Sequence, residues 1–204
     1  MIEHLETLLG APRWRSEHAL ATRATPARAD AALREVRMQD LPLTGGLMAL
    51  RSLPAILTGV RGGRRRGAGD RPLLQRMGAI GLVALVDEPG RGIVLGLIGQ
   101  PWRLRGGEQA SVEDGGAFAR FDRPGFVRAV TGLWAEADAG PDAGPDAGPP
   151  TQAGIRTTLR TETRIAPTDA GAERRFAAYW RVVGPFSGVT RSEMLRAVRR
   201  RAEG

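Results

Sequence analysis

The chain has 204 residues, 42% of them hydrophobic and 25% charged, with a formal net charge of +8. That is enough apolar material to bury a core, and the length fits one domain, 1–204, more readily than two. Cysteine and lysine are both absent, which excludes disulfides, thiolate metal sites, iron–sulfur clusters, cysteine nucleophiles, Schiff-base lysines and the lysines that kinases and phosphate loops require.

All 30 basic residues are Arg and asparagine is missing as well, a composition expected of a GC-rich coding sequence. Residues 61–71 carry +4 and residues 191–204 carry +3, so the remaining chain is close to neutral at +1. Met1 to Gly10 contains Glu3 and Glu6 and no apolar stretch of secretory length, and no run reaches the ~20 apolar residues that span a bilayer. With no cysteine to oxidise, the expectation is a cytoplasmic protein.

In chain order, Ile2, Leu5, Leu8 and Leu9 share one face of a short N-terminal helix. Glu17 to Ala24 predicts a strand with His18, Leu20, Thr22 and Ala24 on one side. Thr25 and Pro26 form a cap and first-turn proline, and Ala29, Ala32, Leu33 and Val36 set the phase of a helix from Pro26 to Met38. A second helical stretch, Leu41 to Leu57, would bury Leu43, Leu47, Leu50 and Leu57, although Gly45, Gly46 and Pro54 weaken it. The segment 61–71, RGGRRRGAGDR, is aperiodic and predicts a flexible Arg/Gly loop.

Ala79 to Asp87 and Gly92 to Gly99, joined by Glu88-Pro89-Gly90-Arg91, predict a β-hairpin. Trp102 to Leu104 is expected to continue the sheet, and residues 106–124 to be irregular. Phe126 to Ala137 and Ile155 to Ile165 read as strands. The second places Ile155, Leu159 and Ile165 inward beside three threonines, with Arg156, Arg160, Glu162 and Arg164 outward. Between them, 139–151 holds the low-complexity GPDA repeats of a hairpin loop. Thr168 and Asp169 cap a helix carrying Ala172, Phe176, Tyr179 and Val183. Gly184-Pro185 is expected to end it, and a last helix buries Leu195, Val198 and Ala202.

A strand, a helix opened by Thr-Pro, a second helix, an antiparallel meander and C-terminal helices form an order that resembles the START-like, or polyketide cyclase and Bet v 1-like, helix-grip superfamily. The likeness rests on Glu17 to Val36 and on TLRTETRIAPTDAGAERRFAAYW, while YWRVVGPFSGVTRSEMLRAVRRRAE is similar to the C-terminus of uncharacterised bacterial members. It implies an α+β fold in which a curved antiparallel sheet wraps a C-terminal helix, two short helices follow the first strand, and a cavity lies between sheet and helix. The superfamily's last helix is usually unbroken, a pattern from which Gly184-Pro185 departs. The resemblance implies a small hydrophobic ligand, no cofactor, and no universal catalytic residues to carry across.

His18, Trp102, Trp134, Tyr179 and Trp180 are the ligand-binding candidates: four aromatics that can line an apolar pocket, and one imidazole. Each also fits plain packing. An enzyme of the cyclase or dehydratase kind, with His18, Glu162 or Tyr179 moving protons, is the alternative. His4 and His18 are the only imidazoles, at spacings that match no metal site. Gly90-Arg91-Gly92 precedes a strand rather than the helix a dinucleotide loop needs, and Gly184 to Gly188 does not match a nucleophile elbow. A further alternative is an anionic-surface or nucleic-acid binder using the two Arg clusters; segment 61–71 has no aromatic to stack on bases, and a solubilising loop and a solvated helix face explain the clusters without such a partner.

Overall fold

Local capping chemistry decides where the helices begin. The structure, a computed structural model, describes residues 1–46, 71–79, 81–103, 107–138 and 157–204. Helix α1 (Ile2–Leu8) buries Leu5 and Leu8. Strand β1 (Trp14–Thr22) follows, and then α2 (Pro26–Glu35), where Thr25 Oγ1 accepts from the Arg28 amide at 3.3 Å. α2 stops short of the expected Met38, because Val36 turns extended and its carbonyl accepts from the Leu73 amide at 2.6 Å. Met38–Asp40 is a 3-10 turn and residues 42–46 are helical. The remainder of the Leu41 to Leu57 expectation lies outside the described residues, as do 61–70 of the Arg/Gly loop, Leu104, the 139–151 loop, Ile155 and Arg156.

Helix α3 (Leu73–Ala79) was not anticipated, and it takes Ala79 out of the hairpin. The hairpin itself is β2 (Val83–Glu88) and β3 (Gly92–Gly99). Gly92 has φ +143, and a side chain there would collide with the Leu133 carbonyl and Trp134 Cβ of the neighbouring strand, so the turn requires glycine. Trp102 lies in a turn instead of extending the sheet. The extension is β4 (Gln109–Ala110), followed by α4 (Gly115–Arg120), whose cap Asp114 accepts from the Ala117 amide at 2.7 Å. Residues 106–124 therefore contain regular structure where none was expected.

Strands β5 (Val127–Ala137) and β6 (Thr157–Pro167) complete an antiparallel sheet in the order β1-β6-β5-β3-β2, with β4 pairing β3. Helix α5 runs unbroken from Ala170 to Glu203 and includes Pro185. Proline inside a helix costs roughly 3 kcal/mol through the lost N–H bond and ring clash, so the expected break had a sound basis. It is overridden because Ala172 and Phe176 before it, and Met194, Leu195 and Val198 after it, are all buried on the body, while Pro185 itself is exposed. Long-range anchoring on both sides outweighs the local cost.

The sheet is covered on both faces. On the α5 side, Leu33 and Val36 of the α2 region pack with Ile93, Leu95, Leu133 and Leu159 and with Met194, Leu195 and Val198 of α5. On the other side, Leu5 and Leu8 of α1 and Phe118 of α4 pack with Val94, Ile98, Val130 and Trp134. The result is an α+β fold with the C-terminal helix on a six-stranded antiparallel sheet.

Candidate functional site

Alternation along β1 turns Trp14, Ser16, His18, Leu20 and Thr22 toward α5, and the cross-strand register extends these positions into rows. Trp14 lines up with Ile165, Ala129 and Leu97; Ser16 with Thr163, Thr131 and Leu95; His18 with Thr161, Leu133 and Ile93; and Leu20 with Leu159 and Ala135. Two rows in the middle of an otherwise apolar face thus carry Ser16, His18, Thr131, Thr161 and Thr163. The threonines expected inward are inward: Thr157 and Thr161 are fully buried, Thr163 nearly so, and Thr131 and Thr163 share a hydroxyl bond of 2.7 Å. The Thr161 hydroxyl is buried without a hydrogen-bond partner.

Above β1, α5 passes with Gly188, Arg191, Ser192 and Leu195 toward the strand. A Cβ built on Gly188 would lie 3.5 Å from His18 Cε1, so the imidazole packs against the helix backbone at that point. His18 Nε2 is 3.4 Å from Ser16 Oγ, and Arg191 Nη1 donates to the same oxygen at 3.2 Å. Burial and the neighbouring Arg191 charge hold the His18 imidazolium below its usual range. Burial pulls the Arg191 guanidinium down to about 10. A shallow cleft of about 90 Å³ opens at the edge of β1, lined by His18, Ala19, Leu20, Ser192, Leu195 and Arg196. Small-molecule pockets commonly reach ~300 Å³ or more, so this cleft accommodates a polar group or a few waters rather than a whole organic ligand.

The aromatic candidates divide between the two faces. Trp102, Tyr179 and Trp180 gather around buried Phe176 with Trp14, Ala129, Val127 and Ile165 on the α5 side. Trp180 stacks on Phe176 at 5.4 Å between ring centroids, and Trp102 meets its edge at 6.5 Å. Trp134 belongs to the other face, in the core with Leu5 and Phe118, and its indole N–H donates to Glu136 at 2.6 Å. It therefore lines no space beside α5.

Glu162 and Arg164 also differ from expectation. They are 0% and 4% exposed rather than solvated, because α1 covers that end of the outer face. Glu162 accepts from Arg164 Nε at 2.6 Å and pairs with Arg15 Nε at 2.8 Å. Arg160 keeps the outward, partly exposed position foreseen for it and bonds to Glu136 and Glu17. Glu162 lies on the α1 face, whereas His18 and Tyr179 lie on the α5 face, so Glu162 shares no cavity with the other two proton-transfer candidates.

No family model, curated protein or solved structure matches this chain. Among the described residues, no group of three or more His, Asp or Glu side chains is placed to hold a metal ion, and no helix is long and apolar enough to cross a membrane. The C-terminal arginines are partly committed to the body: Arg201 pairs with Glu35 and Asp40, and Arg200 donates to the Asp40 carbonyl at 3.2 Å.

Sequence reading missed Ser16, Thr131 and Arg191. The two hydroxyls could have been found by carrying the β1 and β5 alternation across the sheet. Arg191 could not, since its facing depends on α5 continuing through Pro185.

Proposed function

We propose that this chain is a binding module that holds a small hydrophobic molecule between the sheet and α5, with the sheet curving around the helix as in the START-like helix-grip superfamily that its element order resembles. One observation carries this reading. Leu97, Ala129 and Thr131 remain only half-buried on the α5 face, while Ile93, Leu95, Leu133 and Leu159 beside them on that face are closed by direct packing. An apolar molecule lying on that patch would touch Ala129 and the neighbouring aromatic group of Trp102, Tyr179 and Trp180, whose partly exposed rings offer apolar bodies with polar tips. Binding without catalysis is the simpler account, given that His18 and Glu162 lie on opposite faces.

Thermal-shift screening of lipids, polyketides and aromatic compounds, followed by calorimetry, tests the proposal. A ligand present at about 100 times its Kd stabilises the folded chain by about 2.7 kcal/mol, which raises the melting temperature by several degrees in a protein of this size. Ala129→Trp, which fills the half-buried patch, is expected to abolish that response without lowering the melting temperature of the free protein. A panel with no active compound, or undiminished binding by Ala129→Trp, would contradict the assignment.

A further inference from the structure

We propose that Arg191, Ser16 and Thr161 form a receptor for the carboxylate of an apolar acid, whose hydrocarbon part lies toward Ala129 and Leu97; this rests on the binding reading above and names the chemical class of its ligand. The starting point is a cation without a counter-ion. Among the described residues, no carboxylate lies within ion-pair distance of Arg191, and its hydrogen bond goes to a neutral hydroxyl, Ser16 Oγ. Three other arginines held against the body differ, since Arg164 has Glu162, Arg34 has Asp30 and Asp87, and Arg160 has Glu17 and Glu136. Arg128 also lacks an ion pair among the described residues, but its guanidinium donates to the Ala119 carbonyl, away from β1 and α5. Burial lowers the Arg191 pKa with no acid opposing it, so a half-buried charge stands without a counter-ion.

Hydrogen-bonding capacity points the same way. Thr161 is fully buried and its hydroxyl has no partner, an arrangement that costs free energy until an acceptor arrives. Thr161 is the register partner of His18, two positions along β6 from the partner of Ser16. A guanidinium fork, the Ser16 hydroxyl and the Thr161 hydroxyl are donors, and they suit an acceptor with two oxygens. His18, held toward its neutral form, adds a further donor or acceptor but no second full charge.

The charge count selects among anions. One guanidinium balances a monoanion, and its planar fork matches a carboxylate with two parallel N–H···O bonds. A phosphate dianion would remain half compensated. The apolar part follows from the register: the row next to Ser16, Thr163 and Thr131 is Trp14, Ile165, Ala129 and Leu97, so the polar centre borders the half-buried apolar patch.

The test uses decanoate, 1-decanol and acetate at constant ionic strength, with the full chain as wild type, Arg191→Met and Arg191→Lys, read by calorimetry and melting temperature. Wild type is expected to bind decanoate at least tenfold more tightly than 1-decanol. Arg191→Met should bring the ratio close to one while keeping 1-decanol affinity, and Arg191→Lys should keep part of the preference. Without ligand, Arg191→Met should melt no lower than wild type, because it removes an uncompensated charge; a merely structural arginine would show a loss there. Equal affinities for decanoate and 1-decanol in wild type, or an unchanged ratio in Arg191→Met, would overturn the carboxylate site and leave hydrophobic binding intact. If neither ten-carbon probe binds, the reading of hydrophobic binding at the patch fails. Stabilisation by acetate that disappears in Arg191→Met would then still support the anion site, and its absence would overturn both.

Discussion

His18 is held on three sides, by Gly188 of α5, by Ser16 and by the Arg191 charge, and this fixes the sign of its effect on stability. Its folded-state pKa lies below the ordinary 6.5. At pH above 6.5 the ring is neutral in both states; as pH falls past that value, the unfolded chain takes up a proton that the folded chain resists, and stability is lost. The wild-type melting temperature is therefore expected to fall more than that of His18→Gln between pH 7.5 and 5.5, and identical slopes would contradict the assigned environment. On the opposite face, buried Glu162 is shared by buried Arg164 and by the more exposed Arg15. Glu162→Leu alone, which leaves Arg164 buried without its close partner, should cost about 3–5 kcal/mol in denaturant unfolding, and the double change of Glu162 and Arg164 to apolar residues considerably less. The inward threonines of β6 were legible from alternation. The burial of Glu162 and Arg164 was not, since alternation assigns a face but cannot say that α1 will cover it.

At the scale of elements, α5 is a continuous helix carrying a proline at an exposed position. Pro185→Ala restores an N–H donor to the helix and should raise stability by about 1–3 kcal/mol; a decrease would show that the proline shapes a bend the fold needs. Glu193 on the same helix caps the residue 42–46 turn from outside. Its carboxylate accepts from the Leu43 and Thr44 amides, both at 2.7 Å, and from the Thr44 hydroxyl at 2.6 Å. Burial pushes the Glu193 carboxyl up, yet these bonds and the Arg200 charge bring it below the usual carboxylate range. Glu193→Ala should destabilise by about 1–3 kcal/mol, since two amides lose a charged acceptor, and should raise hydrogen exchange at residues 43–46. The β2–β3 turn, the α2 cap and strands β5 and β6 could all be read from nearby residues because their signals are local. The α5 break and the missing α3 were misread for the opposite reason: both are decided by what packs against them. Ala137 and Thr157 face each other at the ends of β5 and β6, so replacing 140–150 with a short glycine-containing turn should leave the melting temperature unchanged or slightly higher, as loop closure costs only ~0.6 kcal/mol per doubling of length.

At the scale of the molecule, one sheet separates two chemistries. The α1 face is closed by Leu5, Phe118 and Trp134 and by buried ion pairs. The α5 face carries a polar centre bordered by a half-buried apolar patch. Element order was sufficient to expect an antiparallel run of strands followed by C-terminal helices, and the superfamily resemblance supplied the expectation that helix packs on sheet. The site was only partly legible: His18 and the aromatics are conspicuous in the sequence, but sorting Trp134 and Glu162 to one face and Trp102, Tyr179 and Trp180 to the other requires the strand register. The proposed small apolar ligand sits on the α5 face at the half-buried patch. Methyl-resolved NMR of the Leu-, Ala- and Thr-labelled chain titrated with decanoate tests this placement most directly. The account predicts saturable shifts at Leu97, Ala129 and Thr131, with Leu5 and Leu8 on the far face unmoved; shifts that are absent, or that spread equally over both faces, would contradict it.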